Sequence, residues 1–334
     1  MANTIWYLRK RDIDMEVIDF GRFPAKNRKN RLFLVIYLCK RFLKYRRGTF
    51  NFTNHNLFFY LLVPYFMNRA KGNKYGCGCH LTQYSSRNNL FMKWLEFLCE
   101  YIFLQGASII IIPSEAAVQQ FRIFHIERKK KIVINPAPNI VCHGKVVFRK
   151  HVRNLVFVGH VARRKGLDVL MKAIGGLKDL NLHLDVVGYF DKESAYFKEI
   201  ERIIAKYNLE KNVSFHGSVK PARLATLYRK ADLFIFPSRH ETYGMVLVEA
   251  MSFGLPIIAS AIATTMEIVR NNINGILYET ENSEALAQAI YRLATIPNFR
   301  RAIMQNNMAA TRNPRTWQDV GEENFKALSQ FLQE

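Results

Sequence analysis

Short, nearly unbroken apolar runs alternate along this chain with longer stretches in which apolar residues return every three or four positions. The runs at 107–112, 155–158, 182–187, 233–236 and 256–259 read as strands buried on both faces, the pattern of a parallel sheet. Weaker runs at 16–20, 49–53, 75–81, 131–135 and 213–215 add further strands. Helical spacing covers 3–10, 30–45, 57–68, 90–104 and 317–332, and it puts Leu167, Leu170, Met171 and Ile174 on one face of another helix. Strand and helix alternating in this way predict an α/β fold.

A chain of 334 residues, 49% of them hydrophobic, has room for two domains with real cores. Pro136-Ala137-Pro138 and the polar, basic stretch to Lys150 read as a linker between them. The expected division is 1–147, 148–312 and a terminal helical segment, 313–334. The run 57–66 is interrupted by Pro64 and is too short to cross a bilayer. No charged-then-apolar leader opens the chain. The five cysteines form neither a zinc spacing nor an even disulfide framework. Cys77 and Cys79 fit two small buried strand residues better than a redox or metal pair. No metal site and no cofactor are expected, and the chain reads as cytoplasmic.

Charge changes the picture. The formal net charge is +22, and residues 1–150 hold 26 Lys and Arg against 8 Asp and Glu, leaving +4 for the remainder. Such a field attracts an anionic partner: nucleic acid, an acidic membrane surface or a phosphorylated acceptor. The densest part, 28–47, sets Lys40, Arg41, Lys44, Arg46 and Arg47 beside Leu32, Phe33, Ile36, Tyr37 and Leu38. It reads either as a helix lying on a membrane interface or as a core helix with a solvated basic end. With no RNA-recognition motif, zinc finger or helix-turn-helix pattern, nucleic acid is the weaker partner.

Two loops carry the candidate chemistry. The strand at 233–236 is followed by Pro237-Ser238-Arg239-His240-Glu241-Thr242-Tyr243-Gly244, and then by a helix with Met245, Val248 and Met251 at helical spacing. Glu241 lies in the loop and Glu249 in the helix, at the edge of the sheet where α/β folds bind ligands. Two carboxylates there can accept from several hydroxyls at once, which suits a polyol or ribose. The other loop, Gly159 to Gly166, joins a strand to a helix and carries Arg163, Arg164 and Lys165. A helix start with cations beside it is a natural phosphate site.

The spacing of Glu241 and Glu249, with Tyr243-Gly244, Ala250-Met251, Gly254 and Pro256 in register, resembles the Glu-x7-Glu signature of the retaining glycosyltransferases called group 1 or family 4. The resemblance implies two Rossmann-like domains of the GT-B type facing across a cleft. It also implies a nucleotide-diphosphate sugar as donor, UDP-linked or otherwise, and a final helix returning to the first domain. By position, Glu249 would hold the ribose, and Glu241 would approach the transferred sugar. Backbone N–H groups of Thr242, Tyr243 and Gly244 would bind sugar hydroxyls or the diphosphate. Gly159, Arg164 and Lys165 would take the diphosphate, although His160 stands where the family usually has Arg. The run Arg164-Lys165-Gly166 is similar to a variant in lipopolysaccharide-core glucosyltransferases. Ala263 and Thr264 replace a family Gly-Gly pair near the donor phosphate, and His80 ends a strand where the family has a His near the donor sugar. The family's opening strand and Gly-rich loop have no counterpart in the first residues. The implied activity is metal-independent hexosyl transfer to a glycan or lipid-linked acceptor, in cell-surface polysaccharide synthesis; the basic first half adds the expectation of a peripheral place at the inner face of an anionic membrane. A glycosyltransferase-like subunit without turnover, binding a partner or membrane, is the alternative.

Overall fold

The structure, a computed structural model, describes residues 50–54, 67, 70, 72–79, 90–125 and 131–333. The expected elements at 3–10, 16–20 and 30–45 lie outside these residues, as do nearly all of the 57–68 helix and the place of the opening strand. The chain divides into two compact units, Met1–Pro136 with Trp317–Glu334, and Ala137–Thr316.

In the first unit, β1 (Phe50–Asn54), β2 (Lys74–Gly78), β3 (Ile109–Ile112) and β4 (Lys131–Val133) form one parallel sheet in the order β1-β2-β3-β4. The run Ile109–Ile112 is buried on both faces, as a central parallel strand requires. Helix α1 (Leu90–Gly106) packs beside β2, where the Tyr75 hydroxyl donates to the Phe103 carbonyl at 2.7 Å. Helix α2 (Glu115–Gln120) starts at Ser114, whose Oγ accepts from the Ala117 N–H at 2.9 Å. Cys77 and Cys79 are buried with their sulfurs 3.8 Å apart.

The second unit is a six-stranded parallel sheet. Its strands are β5 (Asn154–Val158), β6 (His183–Val187), β7 (Val213–Gly217), β8 (Leu233–Phe236), β9 (Ile257–Ser260) and β10 (Gly275–Tyr278), in the order β10-β9-β8-β5-β6-β7. Crossover helices connect them: α3 (Leu167–Gly175), α4 (Ala195–Tyr207), α5 (Pro221–Lys230), α6 (Met245–Ser252) and α7 (Ala263–Ile268). Helices α8 (Ser283–Thr295) and α9 (Pro297–Ala310) follow β10, and α10 (Trp317–Gln333) groups with the first unit.

Period-two alternation explains the layering. Leu155, Phe157, Leu184, Val186, Leu233 and Ile235 pack against α3, α4 and α8 on one face. Val156, Val158, Phe234 and Phe236 pack against α5 and α6 on the other. Truncating a fully buried ring such as Phe234 to Ala would cost about 3–5 kcal/mol. The chain winds outward from β5 through β6 to β7, then returns to place β8 on β5's other side. The carboxyl ends of β5 and β8 therefore flank a topological switch point, where an open α/β sheet leaves a crevice.

The stretch 137–150, expected as a linker, belongs to the second unit. Asn139 and Cys142 donate their N–H groups to the side chains of Glu249 (3.0 Å) and Ser252 (3.1 Å) on α6. Arg149 donates to the carbonyls of Arg229 (2.8 Å) and Ala231 (3.3 Å), and the buried Arg300 guanidinium reaches the carbonyls of Arg149 and Lys150. These bonds satisfy backbone groups that a free linker would leave to water.

Candidate functional site

Both loops singled out from the sequence leave the sheet at the switch point. After β5, the Gly159 N–H bonds back to the Val187 carbonyl at 2.9 Å, and a single 3-10 turn, Arg163–Lys165, ends at Gly166 with φ +68°. After β8, Pro237 begins the segment carrying Arg239, Glu241 and Thr242, and Gly244 turns the chain into α6 with φ +86°. A Cβ on Gly166 would lie 1.9 Å from the Pro237 carbonyl oxygen. Only glycine permits that approach, which presses the two loops together.

Lys165 is 8% exposed, and its Nζ bonds Oε2 of Glu241. Arg164 Nη1 stands 3.8 Å from the same oxygen, and the Thr242 N–H donates to Oε1 at 3.1 Å. Burial pushes the Glu241 carboxyl up, but Lys165, the Thr242 N–H and Arg164 outweigh it and hold the group below the usual range. Burial lowers the Lys165 ammonium, and Glu241 only partly restores it. Lys165 also sits 5.2 Å from the Phe236 ring centroid. Thr264 is buried and donates its hydroxyl to the Glu241 carbonyl at 3.1 Å, tying α7 to the acidic loop.

Glu249 occupies a second position, on α6, and is 3% exposed. Its carboxylate accepts from the Asn139 N–H at 3.0 Å and the Tyr228 hydroxyl at 3.3 Å. Burial raises its pKa, only partly offset by these donors.

The structure thus brings Arg164, Lys165, Glu241, Thr242 and Thr264 together. The N–H of Thr242 donates to Glu241's own carboxylate, and the N–H of Gly159 donates to the Val187 carbonyl of β6. Tyr243 is half-buried, and burial raises its phenol. Gly244 contributes a turn, its carbonyl accepting from the Leu247 N–H at 2.9 Å. His80 lies outside the described residues.

Sequence reasoning missed Arg239 and Asp168. Arg239 donates through both terminal nitrogens to the two Asp168 oxygens, each at 2.8 Å, and through Nε to Glu281 at 2.6 Å. The hydrogen bonds to Asp168 raise the guanidinium further above its usual pKa. Burial alone would raise Asp168, yet Arg239 and the Tyr196 hydroxyl hold it low. An acid two residues past Gly166 and a cation two residues before Glu241 were the available signal. Among the described residues, no group of three or more His, Cys, Asp or Glu is arranged to hold a metal ion.

Residues 143–309 match the family described as glycosyl transferases group 1. An uncharacterized glycosyltransferase of Methanocaldococcus jannaschii is 26% identical over 69% of this chain and 60% of its own length. A D-inositol 3-phosphate glycosyltransferase of Catenulispora acidiphila is 33% identical over 43% of this chain and 36% of its own. The chain thus spans less than two thirds of the curated relatives it matches here. Among solved structures, the HepE protein of Anabaena in complex with UDP and glucose superposes with a TM-score of 0.78 at 19% identity, covering 98% of this chain and 89% of that one. Sucrose-phosphate synthase from Thermosynechococcus elongatus gives 0.75 at 20% identity, covering 93% and 80%. At such identities these likenesses speak for the fold, two Rossmann-like domains of the GT-B type.

Proposed function

Because the chain belongs to the group 1 glycosyl transferases, we propose that it moves a sugar from a nucleotide-diphosphate donor to a glycan or lipid-linked acceptor, with retention at the anomeric carbon. The observation that carries this is the Arg164–Lys165–Glu241 cluster at the carboxyl ends of β5 and β8. The HepE structures with UDP, UDP-glucose, or UDP and glucose lend support for a UDP-type donor.

In this reading Lys165 and Arg164 draw onto the diphosphate, which competes with Glu241 for the ammonium and stabilises charge on the leaving group. Glu241, ionised and relieved of Lys165, accepts from hydroxyls of the sugar. A carboxylate offers about four acceptor sites, so Glu249 keeps capacity for a ribose diol beside its two protein donors. Sugar transfer then forms the bond from the acceptor oxygen to the anomeric carbon as the bond to the diphosphate breaks. The acceptor's proton passes to the departing phosphate oxygen. Neither a protein nucleophile nor a metal ion is required.

For the acceptor side, the formal +18 of residues 1–150 favours an anionic membrane surface, with the protein peripheral to its cytoplasmic face and acting in cell-surface polysaccharide synthesis. Leu90, Phe91 and Trp94, exposed at the start of α1, support it. Among the described residues no helix is long and apolar enough to cross a membrane.

The test is a panel of nucleotide sugars screened for thermal stabilisation and then for nucleotide release with and without candidate acceptors. Stabilisation by one or more of them, with acceptor-dependent release, is expected. No stabilisation by any member would overturn the reading.

A further inference from the structure

We propose that Arg239 is a positioning residue for transfer: it locks the cationic loop to the acidic loop and so sets Lys165 against Glu241. This rests on the donor reading above. Lys165 and Glu241 sit on separate loops, 76 residues apart in sequence, which leave the paired strands β5 and β8. The connection runs through Arg239. Its backbone N–H donates to the Arg164 carbonyl at 2.8 Å, and its Nη1 donates to the Arg163 carbonyl at 2.5 Å. Its two terminal nitrogens grip both oxygens of Asp168, which stands at the start of α3 just beyond Gly166.

The grip is partly shielded from water, with the Arg239 side chain 20% exposed and that of Asp168 4% exposed. The Tyr196 hydroxyl donates to Asp168 Oδ1 at 2.7 Å, fixing the acid from the other side. Next door, Gly166 rests on the Pro237 carbonyl, so a steric stop and a bidentate ion pair act on the same junction. These contacts of Arg239 end on Asp168, Glu281 and two backbone carbonyls, not on Lys165 or Glu241. Its effect on chemistry is therefore indirect. A rigid planar fork suits this task, and a lysine ammonium at the same position supplies charge without the two-point grip. Misplacing a reacting group by an ångström can lower a rate on the order of a hundredfold.

The experiment uses the full chain as wild type, Arg239→Lys and Arg239→Gln, each also in a Lys165→Met background. Hydrogen exchange is read over residues 163–168 and 238–244, and kcat and donor KM are read with the nucleotide sugar that the panel identifies. Positioning through Lys165 predicts faster exchange in both loops. It also predicts a kcat loss of roughly tenfold to a hundredfold, with donor KM moving far less. In the Lys165→Met background the same substitutions should change kcat by less than about threefold, because the group being positioned is gone. Arg239→Lys should fail to restore kcat. An equal fold-loss in both backgrounds, full rescue by lysine, or unchanged exchange in the loops would each overturn the proposal. If Arg239→Gln does not fold, Arg239→Lys decides by the same readings. If wild-type protein binds no nucleotide sugar, the donor reading falls, and exchange alone then judges the clamp.

Discussion

Gly166 and Gly217 offer a matched pair of substitutions. Both have nearly the same left-handed backbone, φ +68° and +67°, so alanine meets the same conformational penalty at each, about 1 kcal/mol. Around Gly217 an added Cβ would find nothing within 4 Å. On Gly166 it would lie 1.9 Å from the Pro237 carbonyl oxygen and 2.9 Å from the carbonyl carbon, both backbone atoms. Reaching the 3.0 Å below which real Cβ contacts are essentially unknown requires a backbone shift of about 1 Å. Overpacking of that kind adds about 1–3 kcal/mol. Gly166→Ala should therefore destabilise by about 2–4 kcal/mol and Gly217→Ala by about 1 kcal/mol. For a unit of this size each kcal/mol lowers Tm by about 2–4 °C, so calorimetry should separate the variants by several degrees. Calorimetric titration with UDP should also show weaker binding for Gly166→Ala only, since the shift opens the junction between the cationic and acidic loops. Equal shifts in Tm would refute the close-approach explanation and leave backbone conformation as the whole effect.

Other outcomes follow from the buried charges and from the basic half. Glu249→Gln should weaken UDP binding by roughly 10- to 100-fold, as a charged acceptor contributes about 1.5–3 kcal/mol; Tm at pH 7 should hold or rise. The sign follows from Glu249's raised pKa, since the stability it gives at low pH is lost as pH rises through that value; a lower Tm with unchanged UDP affinity would make it purely structural. If protonated Lys165 takes the diphosphate, kcat/KM, which reports the free enzyme, should fall as pH rises through its lowered pKa, below the ordinary lysine range, and Lys165→Arg should move that limb upward; an unmoved limb would assign it to another group. Vesicle co-sedimentation should show binding to anionic but not neutral lipid, released by salt; equal binding to both would remove charge as its cause.

Most of the second unit was legible because its strands are short apolar runs buried on both faces, and Leu233–Phe236 and Asn154–Val158 came out within a residue of expectation. The site residues at the ends of those strands were legible for the same reason: once β5 and β8 are placed, the loops that follow must lie at the carboxyl edge. What was not legible depends on partners distant in sequence. Residues 137–150 have loop composition, and only the side chains of α6, about 110 positions later, show that Asn139 and Cys142 are anchored. Asp168 and Arg239 are each unremarkable on a helix start and in a loop, and their pairing across 71 positions is a product of the fold. The bond from the Thr242 N–H to the carboxylate beside it likewise appears only in the folded loop.

The charges at the junction nearly cancel. Asp168 faces Arg239, Glu281 faces Arg239 from outside, Glu199 faces Arg163, and Glu241 stands against Lys165 and Arg164. A largely buried Lys165 without a counter-ion would be costly, so Glu241 stabilises the ligand-free state by the same contact that a diphosphate would replace. On the proposed donor reading, donor binding would be an exchange of anions at Lys165 rather than the filling of an open positive site, and would draw little on long-range attraction. The second half carries only +4 in total. The formal charge of +18 within residues 1–150 is the basis for proposing an anionic acceptor, or an anionic surface that holds it, as a further partner.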